Sequence, residues 1–228
     1  MSELQGAFLA SIGVGLVLFV LVFIFEGRAF SKTGTSKYSL LRYFPFELNC
    51  FKRNSKLSYV YPVVTFMGTL IISAAFLFFA LETQNNGGAI TVAYIMFVVS
   101  CLTGLVFNAL TFIKLSNYQL HLIFAVLFVC LNLLEMILSL FFLPNTNYVY
   151  VNAPHQATQI AVFIVTFLLL IFEAVLMFNP SYKRWNKMVK VDAETFNRPR
   201  FNYLAMLEWG NFIIYILNLL PIGIVMFF

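Results

Sequence analysis

Apolar residues in this chain come as long unbroken runs rather than at the spaced positions of a helix that is apolar on one face. Six runs, Ala7 to Phe25, Val60 to Leu81, Ala89 to Ile113, Gln119 to Phe142, Gln159 to Phe178 and Leu204 to Phe228, are separated by more polar connections, of which the first is the longest. At a rise of 1.5 Å per residue each is long enough for a hydrocarbon core of about 30 Å. The pattern predicts an all-α fold, a polytopic bundle of six transmembrane helices. No connection is long enough for a separate soluble domain, so residues 1–228 are read as a single transmembrane domain.

Composition agrees: 61% of the residues are hydrophobic and 10% charged, far from the roughly 25% charged of soluble domains. The opening MSELQGAFLAS lacks the basic flank of a cleavable leader, so the first run is expected to be a membrane helix. Cys50, Cys101 and Cys130 have no paired spacing that would suggest a disulfide framework or a thiolate metal site.

Charge orients the bundle. The 14 Lys and Arg residues fall in the first, third and fifth connections and never in the second or fourth. Cytoplasmic connections are enriched in these residues, which makes 26–59 and 179–203 basic cytoplasmic loops and predicts that both termini are non-cytoplasmic. The net charge of +5 then belongs to the cytoplasmic surface, where membrane lipids with anionic headgroups are the expected partners and nucleic acid is not. A bacterial plasma membrane is the default host, and an organelle membrane of bacterial descent would give the same charge pattern.

Both loops mix aromatic and basic residues. Tyr38 to Arg53 reads YSLLRYFPFELNCFKR, and Pro180 to Lys190 reads PSYKRWNKMVK. Such segments suit a headgroup level with rings inserted and cations snorkelling, so Arg42, Lys52, Arg53, Lys183, Arg184 and Lys187 are the expected headgroup contacts. A docking surface for a cytoplasmic partner is the alternative.

The polar residues inside the runs are the main functional signal. An ionisable group at membrane depth costs at least about 2.5 kcal/mol on insertion scales. Glu135, Glu173 and Glu208 all fall inside predicted spans. His121, Asn132, Glu135 and Ser139 share one face of the fourth span, and Gln159, Thr166 and Glu173 one face of the fifth. Glu208, Asn211, Tyr215 and Asn218 do the same on the sixth, and Ser100, Gly104, Asn108 and Thr111 on the third. Lipid does not tolerate these faces, so they should converge. Glu173 and Glu208 are expected at similar depth near the cytoplasmic side, with Glu26 bordering them, and Glu135 and Asn132 further out.

With no Lys or Arg inside the spans, the acids have three options: protonation, a bound cation, or a basic side chain such as Arg198 or Arg200 reaching in. Interhelical hydrogen bonding is the purely structural alternative. His121 and His155 offer no second ligand at helical spacing, and no metal or cofactor is expected. HExxH, GxSxG and phosphate-loop motifs are absent, so no catalytic residue is named.

The leading expectation is a small transport component, meaning a carrier, channel or membrane subunit of a transport complex, that handles a proton, cation or small polar solute. Glu173, Glu208, Glu135, Asn132, Asn108, Asn211 and Tyr215 are its candidate binding residues. A membrane-embedded enzyme acting on a lipid or polyprenyl headgroup is the first alternative. The second is a non-catalytic accessory subunit with a membrane protein partner, or a homo-oligomer, using the small-residue ridge Ala7, Ser11 and Gly15 on the first span.

Overall fold

The computed structural model describes residues 2–33, 37–49, 60–85, 90–113, 117–143, 156–180, 189–190, 196–197 and 201–227. Its helices are α1 (Glu3–Thr33), α2 (Val60–Asn85), α3 (Ile90–Phe112), α4 (Tyr118–Phe142), α5 (Gln156–Met177), α6 (Tyr203–Leu217) and α7 (Leu219–Phe227). Among the described residues they supply six helical spans long and apolar enough to cross a membrane, α6 and α7 together making the sixth, as in an integral membrane protein. The described extended structure is one antiparallel pair, Val189–Lys190 with Phe196–Asn197, too short to alter the all-helical class.

The division of the sixth span has a local cause. Pro221 has no N–H to donate to the carbonyl of Leu217, and its ring crowds that carbonyl. α6 therefore ends at Leu217, and the Asn218 N–H closes its last turn on the Ile214 carbonyl oxygen at 2.8 Å. Helical geometry resumes at Leu219.

Neighbouring spans pack in chain order from α1 to α4, and α5 packs on α4, α6 and α7. In the α6–α7 span 61% of the most apolar window is buried, against 28% for α1 and 22% for α5, which makes the sixth span the centre of the bundle. Aromatic contacts hold its inner side. The Phe212 ring lies 4.2 Å from Phe107 of α3 and 4.7 Å from Phe19 of α1, and Trp209 lies 5.0 Å from Phe23.

The ridge on α1 meets α2. A Cβ added at Gly15 would stand 2.6 Å from Ile72 Cγ1, and one at Gly68 of α2 would stand 3.1 Å from the Phe19 ring. Gly15 thus faces a helix of its own chain. Ser11 turns its hydroxyl back to the Ala7 carbonyl oxygen at 2.9 Å. Gly15→Leu is expected to lower stability by about 1–3 kcal/mol through overpacking. Gly13→Leu, into open space, should be near neutral. Titration with a denaturing detergent followed by circular dichroism checks both; equal midpoints would contradict the packing.

Candidate functional site

The end of the bundle that bears the basic loops is closed by the chain itself. Residues Lys37 to Asn49 fold inward and finish in a 3-10 turn, Pro45–Asn49. Glu47 accepts the Phe44 N–H at 2.8 Å, and the Tyr38 hydroxyl donates to the Phe44 carbonyl oxygen at 3.0 Å. Two donors from the sixth span hold the segment down: Asn202 N–H to the Leu41 carbonyl oxygen at 2.8 Å, and the Trp209 indole N–H to that of Tyr43 at 2.9 Å. Phe30, Tyr38 and Tyr43 pack ring against ring.

This differs from the headgroup insertion expected of the segment. Its carbonyls find donors inside the protein, and with those backbone groups satisfied the rings can be buried in protein rather than lipid. Tyr43, Phe44, Pro45 and Leu48 are buried. Arg42 remains half-exposed, its guanidinium 5.6 Å from the Tyr43 ring centre. Lys52, Arg53, Lys183, Arg184 and Lys187 lie outside the described residues, as do Arg198 and Arg200.

Beneath this cap lies a buried ion pair. His121 of α4 places Nε2 2.6 Å from Glu208 Oε1 of the central span, with both side chains essentially inaccessible. The other ring nitrogen donates to the Ile113 carbonyl oxygen at 2.9 Å, which fixes the tautomer and leaves one proton shared across the Nε2 and carboxyl contact. Phe44 and Phe46 meet the imidazole edge-on at 5.7 and 5.6 Å. The pair is thus shielded on the cap side by two aromatic rings. Tyr61 of α2 lies within electrostatic reach of both Glu208 and Glu26.

Deeper in the bundle a second polar group links three spans. Asn108 of α3 donates to Thr69 Oγ1 and to the Gly104 carbonyl oxygen, both at 2.7 Å. Tyr215 meets Ser73 at 3.0 Å, and Ser100 donates to Ser73 at 3.3 Å. Alongside, the Asn132 amide donates to the Asn211 carbonyl oxygen at 2.9 Å, joining α4 to α6. Gly104 permits this closeness, since a Cβ there would stand 3.3 Å from the Tyr215 hydroxyl.

Several buried side chains have no such closure among the described residues. Glu135 and Glu173 are 0% exposed, and no carboxyl oxygen of either has a hydrogen-bond partner. Asn218, at the break in the sixth span, is 0% exposed with both amide atoms unpaired. Glu135 lies within electrostatic reach of Tyr215 and Cys101. Ser139, one turn along α4, is also buried with its hydroxyl unpaired.

Glu173 stands in the α4, α5 and α6 seam. It lies between Leu169 and Leu176 on α5, both packed with Met136 and Ile214. Leu176 abuts Gly210, where an added Cβ would come within 2.5 Å of its Cδ1. Glu173 and Glu208 fall on opposite sides of that contact, roughly 7 Å apart along the bundle. Of the two acids, Glu208 alone meets a histidine among the described residues.

All seven candidate binding residues are interior. They divide into the capped His121–Glu208 pair, the Asn132–Asn211 contact, the Asn108 and Tyr215 network, and the two unpaired acids. Sequence reasoning left out α2, although Thr65, Thr69 and Ser73 recur every four residues on it and all are buried. That spacing was available as a signal. The cap was not, because its partners lie more than 150 residues away. Among the described residues no three His, Cys, Asp or Glu side chains form a metal-binding set.

Removing one partner of a buried ion pair leaves the other charge stranded, at about 3–5 kcal/mol. His121→Ala is therefore expected to destabilise strongly, and His121→Ala with Glu208→Leu to recover most of the loss. Detergent unfolding read by circular dichroism measures both. A double variant as unstable as the single one would contradict the pairing.

No known protein family, curated protein or solved structure matches this chain.

Proposed function

We propose that the chain is a small transport component whose buried carboxyls bind and release a proton, a cation or a small polar solute. Supporting this above all is the unpartnered state of Glu135 and Glu173, whose carboxyl oxygens all lack hydrogen-bond partners inside membrane-spanning helices. An acid serving only as interhelical glue would be hydrogen-bonded to a neighbouring helix, as Asn132 is. An ionised carboxylate without a partner would be very costly there. The site is therefore built to meet its partner in transit, as a proton or as a cation.

In this reading the groups form a ladder. His121 and Glu208 make the inner level under the cap; Asn132, Asn211, Asn108 and Tyr215 orient the ligand; Glu135 and Glu173 hold it. Asn218 adds a buried amide at the junction of α6 and α7. The capped end faces the cytoplasm by its basic loops and both termini face outward, with a bacterial plasma membrane as host.

The enzyme reading gains less support. Of the two acids that would act as its acid and base, Glu173 and Glu208, the second is engaged by His121, whose ring is covered by Phe44 and Phe46, which leaves it poorly placed to act on a lipid headgroup. The accessory-subunit reading loses its best surface where Gly15 packs on α2.

The protein reconstituted in liposomes should conduct at least one of H⁺, Na⁺ or K⁺ down an imposed gradient. Glu135→Gln and Glu173→Gln should each reduce that flux to the level of empty vesicles while preserving helix content. Wild-type flux in both variants, or no flux of any of the three ions through the wild-type protein, would sink the proposal.

A further inference from the structure

A second feature stands apart from the polar interior. The end of α1 and the start of the cap enclose an open groove of about 620 Å³ on the outer side of the bundle. Its apolar wall is Phe23 and Ile24 of α1 with Leu40 of the cap, and its rim carries Arg28 and Lys37. Both cations are exposed, and among the described residues neither makes a hydrogen bond or an ion pair. Gly27 forms part of the lining, where an added Cβ would meet nothing within 4 Å. The missing side chain leaves the groove open.

Position selects the occupant. Arg28 stands at the end of the α1 span, and the helix surface leading up to it is apolar and exposed at Leu21, Ile24 and Phe25. A ligand here has one end in hydrocarbon and the other between two cations at the water boundary. A soluble anion would use only the rim, and a neutral lipid only the wall. We infer that this groove binds an anionic glycerophospholipid, its phosphate between Arg28 and Lys37 and an acyl chain along Phe23 and Ile24.

The groove also touches the cap. Tyr38 lines it and hydrogen-bonds the Phe44 carbonyl oxygen at 3.0 Å, and Phe44 packs on His121. A bound lipid would bridge α1 to the cap segment and help to hold that segment down over the His121–Glu208 pair. This inference does not depend on transport: the lipid site stands whether or not an ion crosses the bundle.

The test uses the full chain, delipidated in mild detergent, mixed with equal amounts of phosphatidylglycerol and phosphatidylcholine, and examined by native mass spectrometry. Wild-type protein is expected to retain one phosphatidylglycerol in preference to phosphatidylcholine by about fivefold or more. Arg28→Gln with Lys37→Gln removes the cations, and Gly27→Leu fills the groove while keeping them. Both variants should bring the retained ratio close to one with unchanged helix content. Gly27→Leu tests the site even if the charge variant fails to fold. Equal retention of the two lipids by wild-type protein, or a preference that survives the groove-filling variant, would overturn the assignment. Displacement of the lipid by soluble glycerol phosphate at the same concentration would also overturn it, by showing that the rim alone recognises the ligand.

Discussion

Hydrocarbon offers no hydrogen bonds, and that absence organises this molecule. Every polar group in a span must find a partner inside the protein or be held out of lipid by neighbours. The consequence is visible helix by helix. Glu208, Asn211, Tyr215 and Asn218 all belong to the sixth span, and that span has the largest buried share of the six. Its neighbours turn their own polar groups toward it: the Asn132 amide from α4, and the Ser73 hydroxyl and the Thr69 backbone carbonyl from α2. Aromatic residues fill the same inner surface at the level of Trp209 and Phe212, beside the polar groups of Glu208 and Asn211.

The same constraint separates two kinds of interior acid. Glu208 has answered it with His121, fixed in turn by the Ile113 carbonyl and covered by Phe44 and Phe46. Glu135 and Glu173 have not answered it within the protein. In the same interior, then, an acid held through one oxygen by histidine coexists with two acids that have no partner on either oxygen, and the contrast carries the functional reading. Helical packing alone would favour pairing all three. The break at Asn218 adds a further unpaired group where Pro221 has already interrupted the backbone.

Much of the architecture could be read from the sequence, because span length and apolar runs are local properties. Five of the predicted spans overlap their helices almost throughout, while α1 runs from Glu3 to Thr33, well past the expected Ala7 to Phe25 and into the expected loop; the polar faces of α3 to α6 are those inferred from residue spacing. Longer-range relations were hidden. His121 and Glu208 are 87 residues apart, and no periodicity links them. The cap segment carries the aromatic and basic alternation of an interfacial strip, yet Trp209 and Asn202 supply donors that draw it inward. Pro221 was a visible signal for the break in the sixth span, but the apolar run passes through it without interruption. α2 was overlooked for a different reason, since threonine and serine are weak polar signals beside carboxylates and amides.

The central claim is that the buried acids exchange a proton or a cation rather than serving as fixed struts. Infrared difference spectroscopy of the protein in lipid, following the carboxyl bands through changes of pH and of Na⁺ or K⁺, addresses it most directly. The account predicts bands that respond to at least one of these ions and that are diminished by Glu135→Gln and by Glu173→Gln. Carboxyl bands that stay constant under every ion and pH tried would contradict it, and would assign these residues to structure alone.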